Sequence, residues 1–430
     1  MNRFPERNNG RKQQGQTLVF LAVFLTVFVL MTGLAIDLGL SYLTRARLTK
    51  AVDAACLNAA RNYTSTDLPL AQGVANSAFS ANYGSYTRDV TPPVVAVTAN
   101  LDPLNPATTV LGCSATATSN TFFLRVLPSL STASVTTVAQ SRRATLVMSL
   151  VLDRSGSMNG NGGWTAAKNA IPKFLNYFDN ANDYIGLVSF ASTHTIDVAI
   201  TGTPGNFRPA IQNKLNTLNA DGATFAQGGL RDGRTENSIP QPVGNVSKVL
   251  VFLTDGHANV IDDNLSCTGY GNLNFGGYDS GTTVQFMNPA NGNMLCSVPP
   301  LPTISPWTCG APNQCFSLTF FSQSSGAPAT FTRANVSADA EYRALQMATT
   351  LRTDPNPTTI YSIGVGTDTD QDFLRQMAND PASPNFDATQ PIGLAIFVPS
   401  CTGSNQALCN AQVLQAYQDI AANILLRLTK

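Results

Sequence analysis

Twenty consecutive residues, Thr17 to Ile36 (TLVFLAVFLTVFVLMTGLAI), carry no charge. That is the length a helix needs to cross the hydrocarbon core of a bilayer. It commits whatever follows to one side of a membrane. Arg3, Arg7, Arg11 and Lys12 precede the run, opposed only by Glu6, and such a basic flank normally stays in the cytoplasm. Asp37, Arg45, Arg47 and Lys50 follow it. The expectation is a cytoplasmic basic tail over residues 1–16, a transmembrane helix over 17–36, and export of residues 37–430. No later stretch reaches spanning length. The rival reading is a cleaved signal peptide, but the apolar run is long for one and no small-x-small site closes it. Helical spacing continues through Leu40, Leu43, Leu48, Val52 and Ala55, with no Pro or Gly from Leu40 to Asn62. One long helix is therefore expected, membrane-embedded in its first half.

A chain of 430 residues divides into two or three units. Charged residues are 12% of it, against about 25% in an ordinary soluble protein. Lys plus Arg and Asp plus Glu are 26 each, so no nucleic-acid partner is expected, since that needs a clustered basic face. The eight cysteines are Cys56, Cys113, Cys267, Cys296, Cys309, Cys315, Cys401 and Cys409. An even count in an exported chain favours disulfides; buried free thiols are the alternative. With no C-x-x-C pair and only His194 and His257 as histidines, a zinc site is not expected.

Between Ser65 and Arg143, segments such as VVAVTAN (Val94 to Asn100) and ASVTTVAQS (Ala133 to Ser141) alternate like half-buried strands. Together with the end of the long helix, residues 37–143 form a small α+β unit, in which Cys56 and Cys113 are candidates for a bridge. From Ala144 the rhythm becomes strand, helix, strand. The strands are ATLVMSLVLD (Ala144 to Asp153), Tyr184 to Phe190, Lys248 to Thr254 and Thr359 to Val365, with Thr195 to Ile200 as a hairpin partner. The helices are Thr165 to Phe178, Phe207 to Leu218, Ala338 to Leu351, Gln371 to Ala378 and Ala411 to Leu428. Nearly continuous apolar strands alternating with helices predict an α/β, doubly wound, mainly parallel sheet over residues 144–430. One segment interrupts it. Val260 to Arg333 is rich in Gly, Asn, Pro and Ser, has no clear periodicity, and holds Cys267, Cys296, Cys309 and Cys315, which allow three pairings. Cys401 and Cys409 bracket a smaller loop and are expected to pair with each other.

In such sheets ligands sit beyond the carboxyl ends of the strands. The first buried strand ends in Asp153-Arg154-Ser155-Gly156-Ser157, one carboxylate and two hydroxyls on a tight turn. The strand from Lys248 ends in Thr254-Asp255-Gly256, a second carboxylate at the same edge, and Asp221-Gly222-Ala223-Thr224 can present a third hydroxyl. Asp153, Ser155, Ser157, Thr224 and Asp255 offer only hard oxygens, a set suited to Mg²⁺, or to Mn²⁺ or Ca²⁺. Three neutral hydroxyls leave the ion short of direct anionic ligands, so it should accept a carboxylate from another molecule. His257 reads as a loop residue rather than a base.

These residues, in this order and strand context, resemble the metal-ion-dependent adhesion site of von Willebrand factor type A domains. The resemblance covers Ala144 to Lys430, with 260–333 as an insertion beyond the family core, and implies a Rossmann-like fold and metal-mediated binding of a partner. The N-terminal part resembles TadE/TadG-like pilus-assembly proteins. That likeness rests on Gly15-Gln16-Thr17-Leu18-Val19 leading into the apolar helix, then Asp37, Tyr42, Leu48, Ala51, Asp53, Ala54, Ala55 and Ala59 to Arg61. Processed pseudopilins of that group carry Glu five residues after the processing glycine; here the position is Phe20, so a retained anchor is expected. The resemblance implies a single-pass bacterial inner-membrane protein with its bulk periplasmic or extracellular. Such a protein would serve tight-adherence (Flp/Tad) pilus assembly and engage pilus components through the metal. A surface adhesin binding a host or matrix ligand directly is the alternative. An enzyme would need a base near the metal, a second metal cluster or a phosphate-cradling glycine loop, and these motifs hold none. The insertion starts beside Asp255 and is expected to select the partner.

Overall fold

The computed structural model describes residues 14–63, 68–85, 89–102, 105–201, 205–239, 246–263, 273–277, 284–287, 294–298, 307–309, 313–315, 319–330 and 332–428. The basic tail before Gln14 and the pairing of Cys267, Cys296, Cys309 and Cys315 lie outside what is described. The chain divides into two compact units with a boundary at Arg142/Arg143; two short segments, Thr64–Thr66 and Leu101–Thr109, group with the second.

The first unit is built on one continuous helix, α1 (Gln14–Asn62). It is long and apolar enough to cross a membrane, and nearly all its side chains before Asp37 are exposed. Beyond Thr44 a buried stripe appears: Leu48, Ala51, Val52, Ala55, Cys56 and Ala59 recur at helical spacing. Small residues let a second helix, α2 (Leu68–Tyr83), approach closely through Ala71, Ala75 and Phe79. A three-stranded sheet in the order β1 (Val95–Asp102), β2 (Asn105–Asn120), β3 (Thr132–Arg143) completes the unit. The Cys56–Cys113 disulfide ties α1 to β2. The sequence reading contained no α2, because LPLAQGVANSAFSANY mixes Pro, Gly, Ser and Asn.

The second unit is a six-stranded sheet flanked on both faces. Its elements in order are β4 (Thr145–Asp153), α3 (Gly156–Gly160), α4 (Gly163–Leu175), β5 (Tyr184–Phe190), β6 (His194–Val198), α5 (Phe207–Thr217), α6 (Ala226–Asn237) and β7 (Val246–Thr254). After β7 come short strands: β8 (Val260–Asp263), β9 (Leu273–Gly277), β10 (Val284–Met287), β11 (Met294–Val298), β12 (Trp307–Cys309), β13 (Asn313–Cys315), β14 (Thr319–Ser322) and β15 (Ala327–Thr330). The chain then resumes with α7 (Arg333–Thr353), β16 (Thr359–Val365), α8 (Gln371–Ala378), β17 (Leu394–Val398) and α9 (Gln406–Leu428). The sheet order is β17-β16-β7-β4-β5-β6. Every pairing in it is parallel except β5 with β6, which is antiparallel, so the fold is doubly wound around a mainly parallel sheet.

Alternation along β4 shows how both faces are used. Leu146, Met148, Leu150 and Leu152 pack with Phe174 of α4, Ile211 of α5 and Tyr417 of α9. Val151 points the other way, with Leu230 of α6, Ala344 of α7 and Phe373 of α8. This is why the strand reads as a nearly continuous apolar run. The segment from 260 to 333 holds an antiparallel sheet in the order β11-β10-β9-β8 and two hairpins, β12-β13 and β14-β15. Strands of three to five residues are too short to show a period in sequence, which is why the segment reads as aperiodic.

Candidate metal centre

Parallel register brings the two acidic strand ends together. Leu152 of β4 is paired with Leu253 of β7, so Asp153 and Thr254 meet at the next step. The Thr254 hydroxyl donates to Asp153 Oδ2 at 2.5 Å, and the Ser155 amide donates to Asp153 Oδ1 at 2.7 Å. Asp153 is fully buried. The turn after it continues the chain of oxygens. Ser155 Oγ and Ser157 Oγ are 3.0 Å apart, and Ser157 Oγ donates to Asp255 Oδ1 at 2.8 Å. The other Asp255 oxygen accepts from Asn161 Nδ2 at 2.6 Å.

The third element is the loop before α6. The Gly156 amide donates to the Gly222 carbonyl at 3.0 Å, and the Asp221 amide to the Arg154 carbonyl at 2.7 Å, locking this loop against the Asp153 turn. Gly222 has φ +96°, and a Cβ there would lie 2.6 Å from Ser192 Oγ, so the crossing requires glycine. Thr224 follows. Its amide donates to Asn259 Oδ1 at 2.7 Å, its carbonyl accepts from the Asn259 amide at 3.1 Å, and its side chain lines the same cavity as Ser157 and Asp255. All five expected ligands thus stand at one edge of the sheet: four joined by hydrogen bonds, the fifth across a cavity of about 620 Å³.

Asn161 has no counterpart in the sequence reading. It caps the end of α3, accepts from the Gly163 amide at 2.8 Å through Oδ1, and accepts from the Gly403 amide at 3.0 Å through its carbonyl. Gly403 lies in the loop closed by the Cys401–Cys409 disulfide, and Cys401 and Thr402 line the cavity. The only available signal was an Asn four residues past Ser157, which no spacing rule singles out. His257 lies in the loop after β7, as expected, and its Nδ1 is 2.6 Å from Glu341 Oε1; that carboxylate raises its pKa.

The electrostatics favour a cation. Burial pushes Asp153 up to about 6. Burial first, and then the Asp153 charge, push Asp255 up to about 8. Two buried carboxyls that repel each other, surrounded by hydroxyls and an amide, form a hard-oxygen set that fits a divalent ion such as Mg²⁺. The same shifts set a pH dependence. A carboxyl whose folded pKa lies above its unfolded value stabilises the fold below the unfolded value and loses that contribution as pH rises through the folded one. Without metal, stability arising from this pair should therefore fall between about pH 4 and pH 8. Divalent ion should restore it, with an affinity that rises over the same range as protons are displaced. Thermal melts in chelator and in Mn²⁺ at pH 5 and pH 8, compared with an Asp153→Asn/Asp255→Asn double variant, read this out. Each kcal/mol is worth roughly 2–4 °C. A wild-type melting temperature with the same pH response as the double variant would rule it out.

Comparison with known families agrees with both resemblances. Residues 148–257 match the model of the von Willebrand factor type A domain. Residues 15–62 match that of putative Flp pilus-assembly TadE/G-like proteins. The chain carries a type A domain with a Rossmann-like sheet, preceded by a Tad-like apolar helix. No curated protein matches it significantly. Among solved structures, the pilus adhesin SpaC of Lactobacillus rhamnosus GG aligns at 16% identity, covering 79% of this chain and 36% of that one, with TM-score 0.39. The vWF domain of the type V pili tip protein Mfa5 of Porphyromonas gingivalis aligns at 16% identity over 66% and 95%, with TM-score 0.36. Mussel byssus proximal thread matrix protein 1, with a zinc-occupied MIDAS motif, aligns at 15% identity over 67% and 46%, with TM-score 0.36. The chain thus spans less than half the length of the mussel and SpaC proteins.

Proposed function

We propose that this chain is a single-pass inner-membrane protein of a tight-adherence pilus system, and that its type A domain grips a protein partner through a divalent ion. The N-terminal helix and the Tad-like segment fit a single-pass membrane protein. On this reading residues 17–36 anchor the chain, the basic tail stays in the cytoplasm, and the type A domain works outside it, where divalent ions are available. The observation that carries the binding reading is the convergence of Asp153, Ser155, Ser157, Thr224 and Asp255 at one edge of the sheet.

Mg²⁺ is the expected occupant, with Mn²⁺ and Ca²⁺ as substitutes; bound, it supplies a Lewis-acidic position for a partner's Asp or Glu carboxylate. The residues of the chain do the rest. The three hydroxyls offer neutral oxygens, while the two carboxylates balance charge. Thr254 orients Asp153, and Asn161 orients Asp255. His257, engaged by Glu341, is a poor candidate for a general base, so the site reads as a grip rather than a catalyst.

A deletion strain of the source bacterium tests this. Wild type should restore surface pili, and Asp153→Asn should not, at equal protein levels. Full restoration by Asp153→Asn would remove the metal from the function. Normal pili in the deletion strain, with only attachment lost, would replace assembly by direct adhesion.

A further inference from the structure

The segment between β2 and β3, from Thr121 to Ser131 (TFFLRVLPSLS), is an exposed apolar surface outside α1. Phe122, Val126, Leu127 and Leu130 are exposed, Val126 with 84% of its surface, and Phe123 is partly so. Its fold is two single turns of 3-10 helix, Leu124–Val126 and Pro128–Leu130. An exposed patch of this kind on a soluble domain marks an interaction site.

Its position identifies the partner. Phe123 lies against Gly33 of α1, so closely that a Cβ on Gly33 would be 2.8 Å from the Phe123 ring. Gly33 belongs to the uncharged run and precedes Asp37 by four residues, about 6 Å along a helix. Interfacial elements bury their apolar faces about 5–10 Å into the boundary between headgroups and acyl chains. Most of the backbone amides of the segment have internal partners, as that depth favours. The buried Asp37 carboxylate accepts from the amides of Phe122 at 2.6 Å, Phe123 at 2.9 Å and Leu124 at 2.8 Å. The amides of Val126, Leu127 and Leu130 bond within the segment, and the Thr121 amide and hydroxyl bond to the Ser131 and Leu130 carbonyls. Arg125, its one charge, lies 5.8 Å from the Phe122 ring centroid, and a long side chain of this kind can keep its head in the headgroup layer.

We infer that residues 122–130 form a second membrane element, a hydrophobic wedge seated in the bilayer leaflet where α1 emerges, with lipid acyl chains as its partner. It rests on the reading of α1 as the anchor. A helix alone can tilt and rotate freely; a wedge fixed to it through Asp37 and Gly33 sets the rotation of the first unit on the membrane.

Full-length protein in vesicles of phosphatidylcholine and phosphatidylglycerol tests both levels. Tryptophan is placed at the exposed wedge position (Val126→Trp) or at mid-span (Val27→Trp), and the emission of the native Trp164 and Trp307 is subtracted. Val126→Trp should emit blue-shifted, resist iodide, and lose most of its emission to lipids brominated near the glycerol end of the acyl chains. Val27→Trp should lose its emission to bromines deep in the chains. A quenched Val27→Trp with an unquenched Val126→Trp overturns the wedge and leaves the anchor standing; iodide then tells whether water or another protein covers the segment. An unquenched Val27→Trp removes the anchor, and the wedge with it.

Discussion

Asp153→Asn is expected to abolish divalent-ion binding while leaving the domain folded. Asp153 is fully buried and is oriented from both sides, by the Ser155 amide and the Thr254 hydroxyl. The amide replacement keeps the shape and an acceptor for Ser155, but removes one of the two negative charges at the site. Disturbing even the groups that orient a ligand typically costs about 10–100-fold in metal affinity, so losing the charge itself should exceed roughly 100-fold. Stability should move the other way. Burial already penalises the charged form of Asp153, so without metal and above about pH 6 the variant should melt no lower than wild type. Calorimetric titration of Mn²⁺ and thermal melts in chelator measure the two effects separately. Undiminished heat of binding would remove Asp153 from the site. A lost site accompanied by a collapsed melting temperature would make the residue structural.

The second large effect is predicted at the opposite edge of the same sheet. Asp183, just before β5, is fully buried and takes the Arg143 guanidinium at 3.0 and 2.6 Å. It also accepts from the Leu146 amide at 3.1 Å and the Asp179 amide at 2.7 Å. Asp183→Ala takes the paired carboxylate from a buried cation and the acceptor from both amides. Breaking a buried pair by removing one partner costs about 3–5 kcal/mol. At roughly 2–4 °C per kcal/mol the melting temperature should fall by about 10 °C. Metal affinity of the folded protein should be unchanged, because the metal centre lies at the other ends of the strands. Arg143→Met in the same background should recover part of the loss by removing the buried charge. A loss below about 1 kcal/mol would show that water or a neighbouring group replaces the carboxylate.

These two carboxylates differ in how readily sequence reveals them. Asp153 announces itself, because D-x-S-x-S follows a nearly continuous apolar strand and its oxygens fall within five residues. Asp183 sits in a plain loop sequence, and its partner is 40 residues away. The same divide runs through the fold. After Thr224 the sequence leaves helix and loop both open, because AQGGLRDGRTEN carries three glycines and little apolar surface; the structure shows helix α6 there. In the structure the glycines are what let it pack: a Cβ on Gly229 would lie 2.5 Å from the Phe190 ring, and one on Gly233 2.8 Å from Val151 and Leu250. Weak intrinsic propensity is overridden by close helix–sheet contact. Strand β17 is not marked by sequence either; LAIFV is wholly apolar, but five residues at a sheet edge are too few for periodicity to tell a strand from a buried helix segment.

From sequence alone come the spanning length of residues 17–36, the alternation of buried strands and amphipathic helices, and the D-x-S-x-S and T-D-G turns at the ends of two buried strands. Each is written in residues close together along the chain, where periodicity and spacing are direct images of burial and local geometry. Tertiary structure alone decides which distant residues complete these features. Asn161 reaches Asp255 across 94 positions, Thr254 reaches Asp153 across 101, and Asp37 gathers three amides 85 to 87 positions away. None of these partners is implied by composition or period, because a hydrogen bond depends on where folded strands and turns arrive in space. Residues 17–36 thus declare by themselves a helix long and apolar enough to cross a membrane. Only the fold sets Phe123 against that helix and Asp37 beneath the segment that follows it.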